Sequence, residues 1–200
     1  IIKCDITKKI EVKKVFKISR NKFGEITSII SNAGVSVFEE YLERSEKSID
    51  FVMNVNLKGT LFCIQEFLKN RNINSNKGSI VNIGSHYGLI SPDPRIYTDC
   101  DRKNSEIYGA TKAGIIQMTK YFAVHAANLN VRSNCVSPGG ILDSENPQGK
   151  DFQKHYSYRC PMKRMAKVEE IVEVILFLIS PAASYINGQN IIVDGGMSSW

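Results

Sequence analysis

Short apolar runs alternate along the chain with longer segments in which apolar residues recur at helical spacing. Five of these runs are apolar on both faces and predict β-strands: 1–5, 26–30, 79–85, 131–138 and 190–194. Strands of this kind, separated by helices, favour a parallel sheet covered on both sides. The pattern therefore predicts a single doubly wound α/β domain over residues 1–200.

The segments between these runs predict the covering helices. Thr7 is a plausible N-cap for a first helix that ends at Gly24. Long helices are predicted from Ser45 towards Arg71 and from Glu106 to Asn128, and a shorter one from Glu169 to Ile179. Ligands of doubly wound sheets bind beyond the carboxyl ends of the strands, so polar residues at those ends are candidates for a site.

Composition narrows the class of protein. With 42% apolar and 23% charged residues, the chain has the composition of a globular protein, and no apolar run is long enough to span a bilayer. The net charge of +6 is spread along the chain, which argues against a nucleic-acid site. Five scattered cysteines favour reduced thiols and a cytoplasmic location. The three histidines lack ligand spacing, so no metal site is predicted.

The segment EIYGATKAG places Tyr108 and Lys112 four residues apart, on one face of a predicted helix. By itself this spacing has an ordinary alternative, a tyrosine near a helix start followed by a solvated lysine. Polar or glycine residues also follow the predicted strands, at Asp5, 32–34, Ser85 and 138–139. These positions would meet Tyr108 at one edge of the sheet.

Seven stretches, in this order, resemble the short-chain dehydrogenase/reductase family: CDIT (4–7), NAG (32–34), NVNLKG (54–59), SIVNIGS (79–85), YGATK (108–112), VRSNCVSPGGI (131–141) and INGQNIIVDGG (186–196). The resemblance covers nearly the whole chain. It implies a Rossmann-like fold and an oxidoreductase that uses NAD or NADP to interconvert a secondary alcohol and a ketone on a small-molecule substrate.

The resemblance implies four catalytic residues. A tyrosine pKa of about 10 is too high for an efficient base near neutral pH, and a nearby ammonium favours the phenolate. Tyr108 is therefore expected to donate and accept the proton, with Lys112 lowering its pKa and holding the nicotinamide ribose. Ser85 is expected to hydrogen-bond the substrate oxygen. Asn56 is expected to interrupt its helix and hold a water linked to Lys112; its alternative role is a simple helix bend.

The cofactor contacts implied by the resemblance follow the strand ends. Asp5 would bind the adenine ring, the turn at 32–34 would approach the cofactor, and the segment after 138 would flank the nicotinamide. The full set is Asp5, Ile6, Asn32, Ala33, Gly34, Tyr108, Lys112, Pro138, Gly139 and Ile141. Asp143 stands where the family often has a threonine, which puts a phosphate contact there in doubt.

Two departures from the family stand out. The family's opening strand and TGxxxGxG turn have no counterpart here, so the N-terminal βαβα portion is predicted to be missing. The intact chain is then expected to be active and this 200-residue piece to be inactive. Cofactor preference, NAD or NADP, cannot then be read. Tyr108 follows Ser85 by 23 residues, a longer interval than is usual in the family. Within this insertion Arg95 or Lys103 would bind a phosphate or carboxylate of the substrate, unless the insertion is only a surface loop.

The insertion, together with YRCPMKRMA (158–166), resembles oxidoreductases of bacterial surface-sugar and flagellin-modification pathways and implies a sugar-derived substrate. Residues 142–165 correspond to the family's substrate lid. Two alternatives stay open: a non-catalytic binding or regulatory protein that kept the fold, and an inactive truncated product. A homodimer or homotetramer is expected, with the two long helices at the interface.

Overall fold

The computed structural model describes residues 1–69, 71, 74–98, 104–143, 145 and 148–200. Its four strands form one sheet in the order β1-β2-β3-β4, and every pair is parallel. The strands are β1 (Ser28–Ser31), β2 (Gly78–Ile83), β3 (Val131–Pro138) and β4 (Asn190–Val193). β2 is buried along its whole length, which explains why its sequence lacks the regular alternation of apolar and polar residues seen in a strand with one face in water.

Six α-helices connect and cover the strands: α1 (Lys9–Phe23), α2 (Glu46–Met53), α3 (Thr60–Leu68), α4 (Glu106–His125), α5 (Lys150–Arg159) and α6 (Val168–Ile179). Successive residues of β2 point to opposite faces of the sheet. Ile80 packs with Phe67 of α3 and Phe16 of α1, whereas Val81 packs with Leu178 of α6. Both faces are thus covered, and the predicted doubly wound α/β fold is confirmed.

Two local predictions near the N-terminus are wrong. Residues 1–5 are extended but form no strand, because no described strand lies beside them to complete a hydrogen-bond ladder. Thr7 does not cap α1, since its hydroxyl donates to the Asp5 carboxylate at 2.7 Å, and the extended residue before the helix is Lys8. The helix does end at Gly24, whose φ of 81° lies in the left-handed region that favours glycine.

The helix predicted from Ser45 is present but is not continuous. Ser45 caps α2 by accepting a hydrogen bond from the Ser48 amide, and a six-residue π-helical segment, Asn54–Gly59, separates α2 from α3. The other predicted helix is shorter than expected, because α4 ends at His125 and continues as a 3₁₀ turn, Ala127–Leu129. A π segment changes the direction of the side chains that follow it, which matters for the site.

Part of the predicted lid is a helix. α5 buries Phe152 and Tyr156 against a 3₁₀ turn, Pro94–Ile96, from the insertion, in a cluster that also contains Tyr97. The irregular segment expected at 91–106 is therefore packed onto α5 over its described residues. Four cysteines lie in the described part of the chain and none of them forms a disulfide. No described helix combines the length and apolarity that crossing a membrane requires.

Candidate active site

The carboxyl end of β2 leads directly into the candidate site. After Ile83 the chain passes Gly84 and reaches Ser85, which is buried and begins a short 3₁₀ helix, His86–Gly88. The Ser85 hydroxyl accepts a hydrogen bond from the Tyr87 amide at 3.1 Å. This cap fixes Ser85 at the edge of the sheet where ligands of parallel sheets bind.

The first turn of α4 brings Tyr108 to the same place. Ser105 caps this helix by accepting a hydrogen bond from the Tyr108 amide at 3.1 Å. Gly88 and Gly109 let the helix pack against the Ser85 turn, because a Cβ on Gly109 would lie 2.8 Å from the Tyr87 carbonyl oxygen and one on Gly88 2.8 Å from the Ala113 nitrogen. The structure thus places Tyr108 within hydrogen-bonding reach of Ser85.

Lys112 lies one turn further along α4, behind Tyr108. Its Nζ is 5.6 Å from the centre of the Tyr108 ring and donates a hydrogen bond to the Ile83 carbonyl oxygen at 2.8 Å. The side chain is almost completely buried, and this burial lowers the pKa of Lys112 to about 8. An ammonium that donates one hydrogen bond to a carbonyl retains donors for further oxygens.

The expected effect of Lys112 on Tyr108 is not seen. Burial raises the pKa of Tyr108, and the hydrogen bond with Ser85 opposes this shift without reversing it. The prediction that Lys112 lowers this pKa is wrong for the protein alone. The physical reason is that loss of hydration is the largest influence on the phenol, whereas the Lys112 ammonium is directed at the Ile83 carbonyl.

Asn56 stands inside the π segment and is fully buried. Its side-chain oxygen accepts from the Val35 amide at 2.8 Å, and its Nδ2 donates to the Val35 carbonyl and to the Thr111 hydroxyl, each at 3.0 Å. The helix interruption that the resemblance implies is therefore present. Asn56 fastens the loop after β1 to the helix that carries Tyr108, and Thr111 is a partner that sequence reasoning missed.

Ser85 and Tyr108 open into one cavity of about 260 Å³ beyond the carboxyl ends of β2 and β3. Gly139 lines this cavity as well, which places one of the predicted cofactor residues beside the catalytic candidates. The remaining lining is mostly aromatic or polar: Phe38, His86, Tyr87, Tyr97, Asn104, Gly140, Gln148, Phe152, Tyr156 and Met165.

The turn after β1 fits a cofactor that passes close to the backbone. Asn32, Ala33 and Gly34 are exposed at the end of that strand. A Cβ on Gly34 would lie 3.4 Å from Lys112 Nζ and 3.5 Å from Asn56 Oδ1, so this turn borders the two buried polar groups directly. At this turn Lys112 would be the residue that binds the ribose hydroxyls of a dinucleotide.

The other predicted cofactor residues lie further apart. Asp5 is in the loop before α1, where its carboxylate accepts from Thr7 and lies 3.5 Å from Lys8 Nζ. Ile6 packs against Gly59 at the end of the π segment. None of Asp5, Ile6, Pro138 and Ile141 lines the cavity that contains Tyr108.

Near the end of β3, Pro138 is the last residue of the strand and Ile141 forms a bridge with Ala166. Asp143 is exposed, and its Oδ1 accepts a hydrogen bond from the Glu145 amide at 3.0 Å. Its carboxylate thus bonds to its own chain. The insertion residue Arg95 points away from the cavity and pairs with Asp93, and Lys103 lies outside the described residues.

Several residues of the site were missed by sequence reasoning. His86 and Tyr87 directly follow Ser85, and Thr111 directly precedes Lys112, so their neighbours could have drawn attention to them. Tyr156 could not have been found, because it reaches the site only through the packing of α5. Its hydroxyl accepts from the Gly140 amide at 2.6 Å.

Comparison with known proteins agrees with this geometry. Residues 1–198 match the family model described as enoyl-(acyl carrier protein) reductase. The chain is 36% identical to the 3-oxoacyl-[acyl-carrier-protein] reductase FabG of Thermotoga maritima, over 96% of this chain and 74% of that protein. It is 33% identical to the ribulose-forming D-arabinitol 2-dehydrogenase of Candida tropicalis, over 98% of this chain and 69% of that protein.

A solved structure is similar over the same length. A short-chain dehydrogenase from Leptospira borgpetersenii with bound NAD⁺ is 38% identical and superimposes with a TM-score of 0.90, over 98% of this chain and 74% of that one. The chain therefore belongs to the short-chain dehydrogenase/reductase family. It is an oxidoreductase of the NAD(P)-dependent type, which interconverts alcohols and ketones on small molecules.

Proposed function

We propose that Ser85, Tyr108, Lys112 and Asn56 form the catalytic group and that the substrate is a sugar-like secondary alcohol or its ketone. The observation that carries this proposal is the single cavity into which Ser85 and Tyr108 both open, with Lys112 buried behind them. Sugar-derived compounds of this kind are what surface-sugar and flagellin-modification pathways process.

The bound dinucleotide supplies or accepts the hydride at the substrate carbon. Tyr108 exchanges the proton at the oxygen on that carbon: its phenol donates the proton in reduction, and its phenolate accepts the proton in oxidation. Ser85 hydrogen-bonds the same oxygen and keeps it beside the phenol. Both side chains line the same cavity, and this supports the proposal that they bind one oxygen atom.

Lys112 and Asn56 act behind this pair. The Ile83 carbonyl holds Lys112 Nζ at 2.8 Å, which orients the remaining ammonium protons towards the ribose hydroxyls of the cofactor. Asn56 bonds Val35 and Thr111, so it keeps the turn at 32–34 at a fixed distance from α4. In this proposal Asp5, Ile6, Pro138, Gly139 and Ile141 contribute the outer cofactor contacts.

The cavity lining supports a polar substrate. The Tyr87 and Tyr97 hydroxyls lie 2.9 Å apart, and Asn104, Gln148 and Tyr156 add further groups that can bind hydroxyls. The D-arabinitol dehydrogenase of Candida tropicalis, named for a polyol, supports the same class. A second candidate is a 3-oxoacyl thioester, which the FabG relative favours.

One assay separates these classes. The protein is incubated with NAD⁺, NADP⁺ or their reduced forms and a panel of sugars, polyols and sugar acids, with a 3-oxoacyl thioester as the competing arm. We expect turnover of at least one hydroxylated compound, seen as a change in nicotinamide absorbance. Turnover of the thioester alone would refute the sugar-like substrate and favour a 3-oxoacyl thioester instead. Cofactor binding without turnover of any compound would favour a non-catalytic protein.

We also propose a homodimer or homotetramer. α2 packs beside α4, and apolar side chains on these two helices are exposed, among them Phe51, Tyr121 and Val124. Covering them with a second copy would remove apolar surface from water. Light scattering after gel filtration tests this, and a monomer at every concentration would contradict it.

A further inference from the structure

A second cavity lies beside α5, next to the catalytic cavity but lined by different residues. It measures about 520 Å³ and is called the α5 pocket here; its lining is Asp93, Arg95, Ile96, His155, Tyr158, Arg159, Lys163 and Trp200. None of these residues lines the cavity that contains Ser85 and Tyr108. α5 contributes to both linings through different residues, Phe152 and Tyr156 to the first cavity and His155, Tyr158 and Arg159 to the second.

The lining of the α5 pocket is cationic. Its charged side chains are three cations and one carboxylate: Arg95, Arg159 and Lys163 against Asp93. Asp93 Oδ2 lies 2.8 Å from Arg95 Nη2 and 2.9 Å from Arg159 Nε. One carboxylate therefore holds two guanidinium groups side by side, and the positive charge of the pair exceeds its negative charge by one.

This arrangement is stable across the neutral range. Hydrogen bonds and charge from Arg95 lower the pKa of Asp93 to about 2, so the carboxylate stays ionised and keeps both arginines in place. The contact with Arg159 uses Nε, whereas a guanidinium has five donors, so its terminal nitrogens can bind a further anion. A phosphate is the anion whose geometry such paired forks fit.

Lys163 adds a third cation at a fixed position. Its Nζ donates to the Tyr158 carbonyl oxygen at 2.8 Å and lies 5.3 Å from the centre of the Tyr158 ring. Its backbone φ of 57° is in the left-handed region, which a lysine adopts only where neighbouring contacts hold it. The cation thus lies beside the ring at the surface of the pocket.

Two large aromatic rings complete the pocket and are exposed. Tyr158 and Trp200 keep 81% and 72% of their surface accessible, although both line a cavity. Exposed rings beside fixed cations are the combination that stacks on a nucleobase while the cations bind its phosphates. A pocket of this size accommodates such a ligand.

We propose that the α5 pocket binds the phosphate and base of a nucleotide, either free or as the nucleotide part of a larger ligand. Arg159 and Lys163 bind the phosphate oxygens, and Trp200 and Tyr158 stack on the base. The proposal concerns a site separate from the catalytic cavity and does not rest on the substrate class proposed above.

The test is titration with UDP in the presence of saturating NAD⁺, which keeps the cofactor site from competing. Lys163→Gln removes one cation from the pocket, and Lys154→Gln removes the same charge from an exposed position of α5 outside it. We expect UDP affinity to fall about tenfold in Lys163→Gln and to stay unchanged in Lys154→Gln.

Trp200→Ala isolates the base, and its side chain is exposed, so folding should not be affected. This variant should lose about tenfold in UDP affinity and nothing in affinity for inorganic phosphate. UDP-glucose distinguishes a free nucleotide from the nucleotide part of a larger ligand. If the pocket binds UDP-glucose more tightly than UDP, the ligand is the larger one; if the two affinities are equal, it is a free nucleotide. No saturable UDP binding, or UDP affinity unchanged in both Lys163→Gln and Trp200→Ala, would overturn the proposal.

Discussion

Replacing Tyr108 by phenylalanine removes one oxygen atom from the cavity and tests the proposed chemistry most directly. The ring is partly buried and lines the same cavity as Ser85, so the variant keeps the packing of the ring and loses only the hydroxyl. The cost to folding should then be that of a single hydrogen bond, about 0.5 to 1.5 kcal/mol. The cost to catalysis should be much larger.

Proton transfer by a positioned side chain contributes about 10² to 10⁴ in rate. This range corresponds to about 3 to 5 kcal/mol of the activation barrier. We therefore expect kcat of Tyr108→Phe to fall at least about a hundredfold. The dissociation constant for the dinucleotide should stay within about threefold, because the proposed cofactor contact of this residue is minor compared with that of Lys112.

Tyr87→Phe is the matched control. Tyr87 is also partly buried and lines the same cavity, but its hydroxyl is bonded to the Tyr97 hydroxyl at 2.9 Å instead of to Ser85. The two variants should lose similar free energies of unfolding, whereas Tyr87→Phe should change KM more than kcat. Steady-state kinetics with cofactor absorbance and urea unfolding measure both. Full turnover in Tyr108→Phe, or equal losses of kcat in the two variants, would refute the assigned role of Tyr108.

Three further predictions concern residues around this centre. Burial lowers the pKa of Lys112 from 10.5 to about 8, so between these pH values the unfolded chain binds more protons and the folded protein gains stability as the pH rises. In Lys112→Met the free energy of unfolding, measured with urea, should not show this gain. Identical pH dependence in the two proteins would contradict the reasoning. Asn56→Ala leaves the part-buried amide and carbonyl of Val35 without their side-chain partner and should lower the free energy of unfolding by about 1 to 3 kcal/mol. An unchanged urea midpoint would mean that these bonds are dispensable. In Gly139→Ala the new Cβ would lie 2.7 Å from the Tyr156 hydroxyl oxygen and displace that side chain. The variant should lose about 1 to 3 kcal/mol of unfolding free energy and should turn over substrate more slowly. A variant with wild-type stability and activity would disprove both expectations.

The sequence by itself determined the fold and the positions of the central residues. Segments such as 79–85 and 131–138 lack the alternation of apolar and polar residues typical of a half-buried strand, because both faces of the sheet are covered, and their separation by helices predicted the parallel sheet. Ser85 and Tyr108 could be placed together in advance, because strand ends and the helices that follow them meet at one edge of such a sheet. These features depend on local pattern and on the order of the elements, both of which can be read from the sequence.

Tertiary packing decided the rest. The Asn56 side chain finds Val35 and Thr111 only when the π segment and α4 lie side by side. The directions of the pKa shifts at Tyr108 and Lys112 depend on how much water the surrounding residues exclude, a quantity that spacing along the chain does not contain. The α5 pocket, too, joins the insertion to residues more than fifty positions away. Burial and electrostatics arise from contacts distant in sequence, and for that reason only the folded structure could supply them.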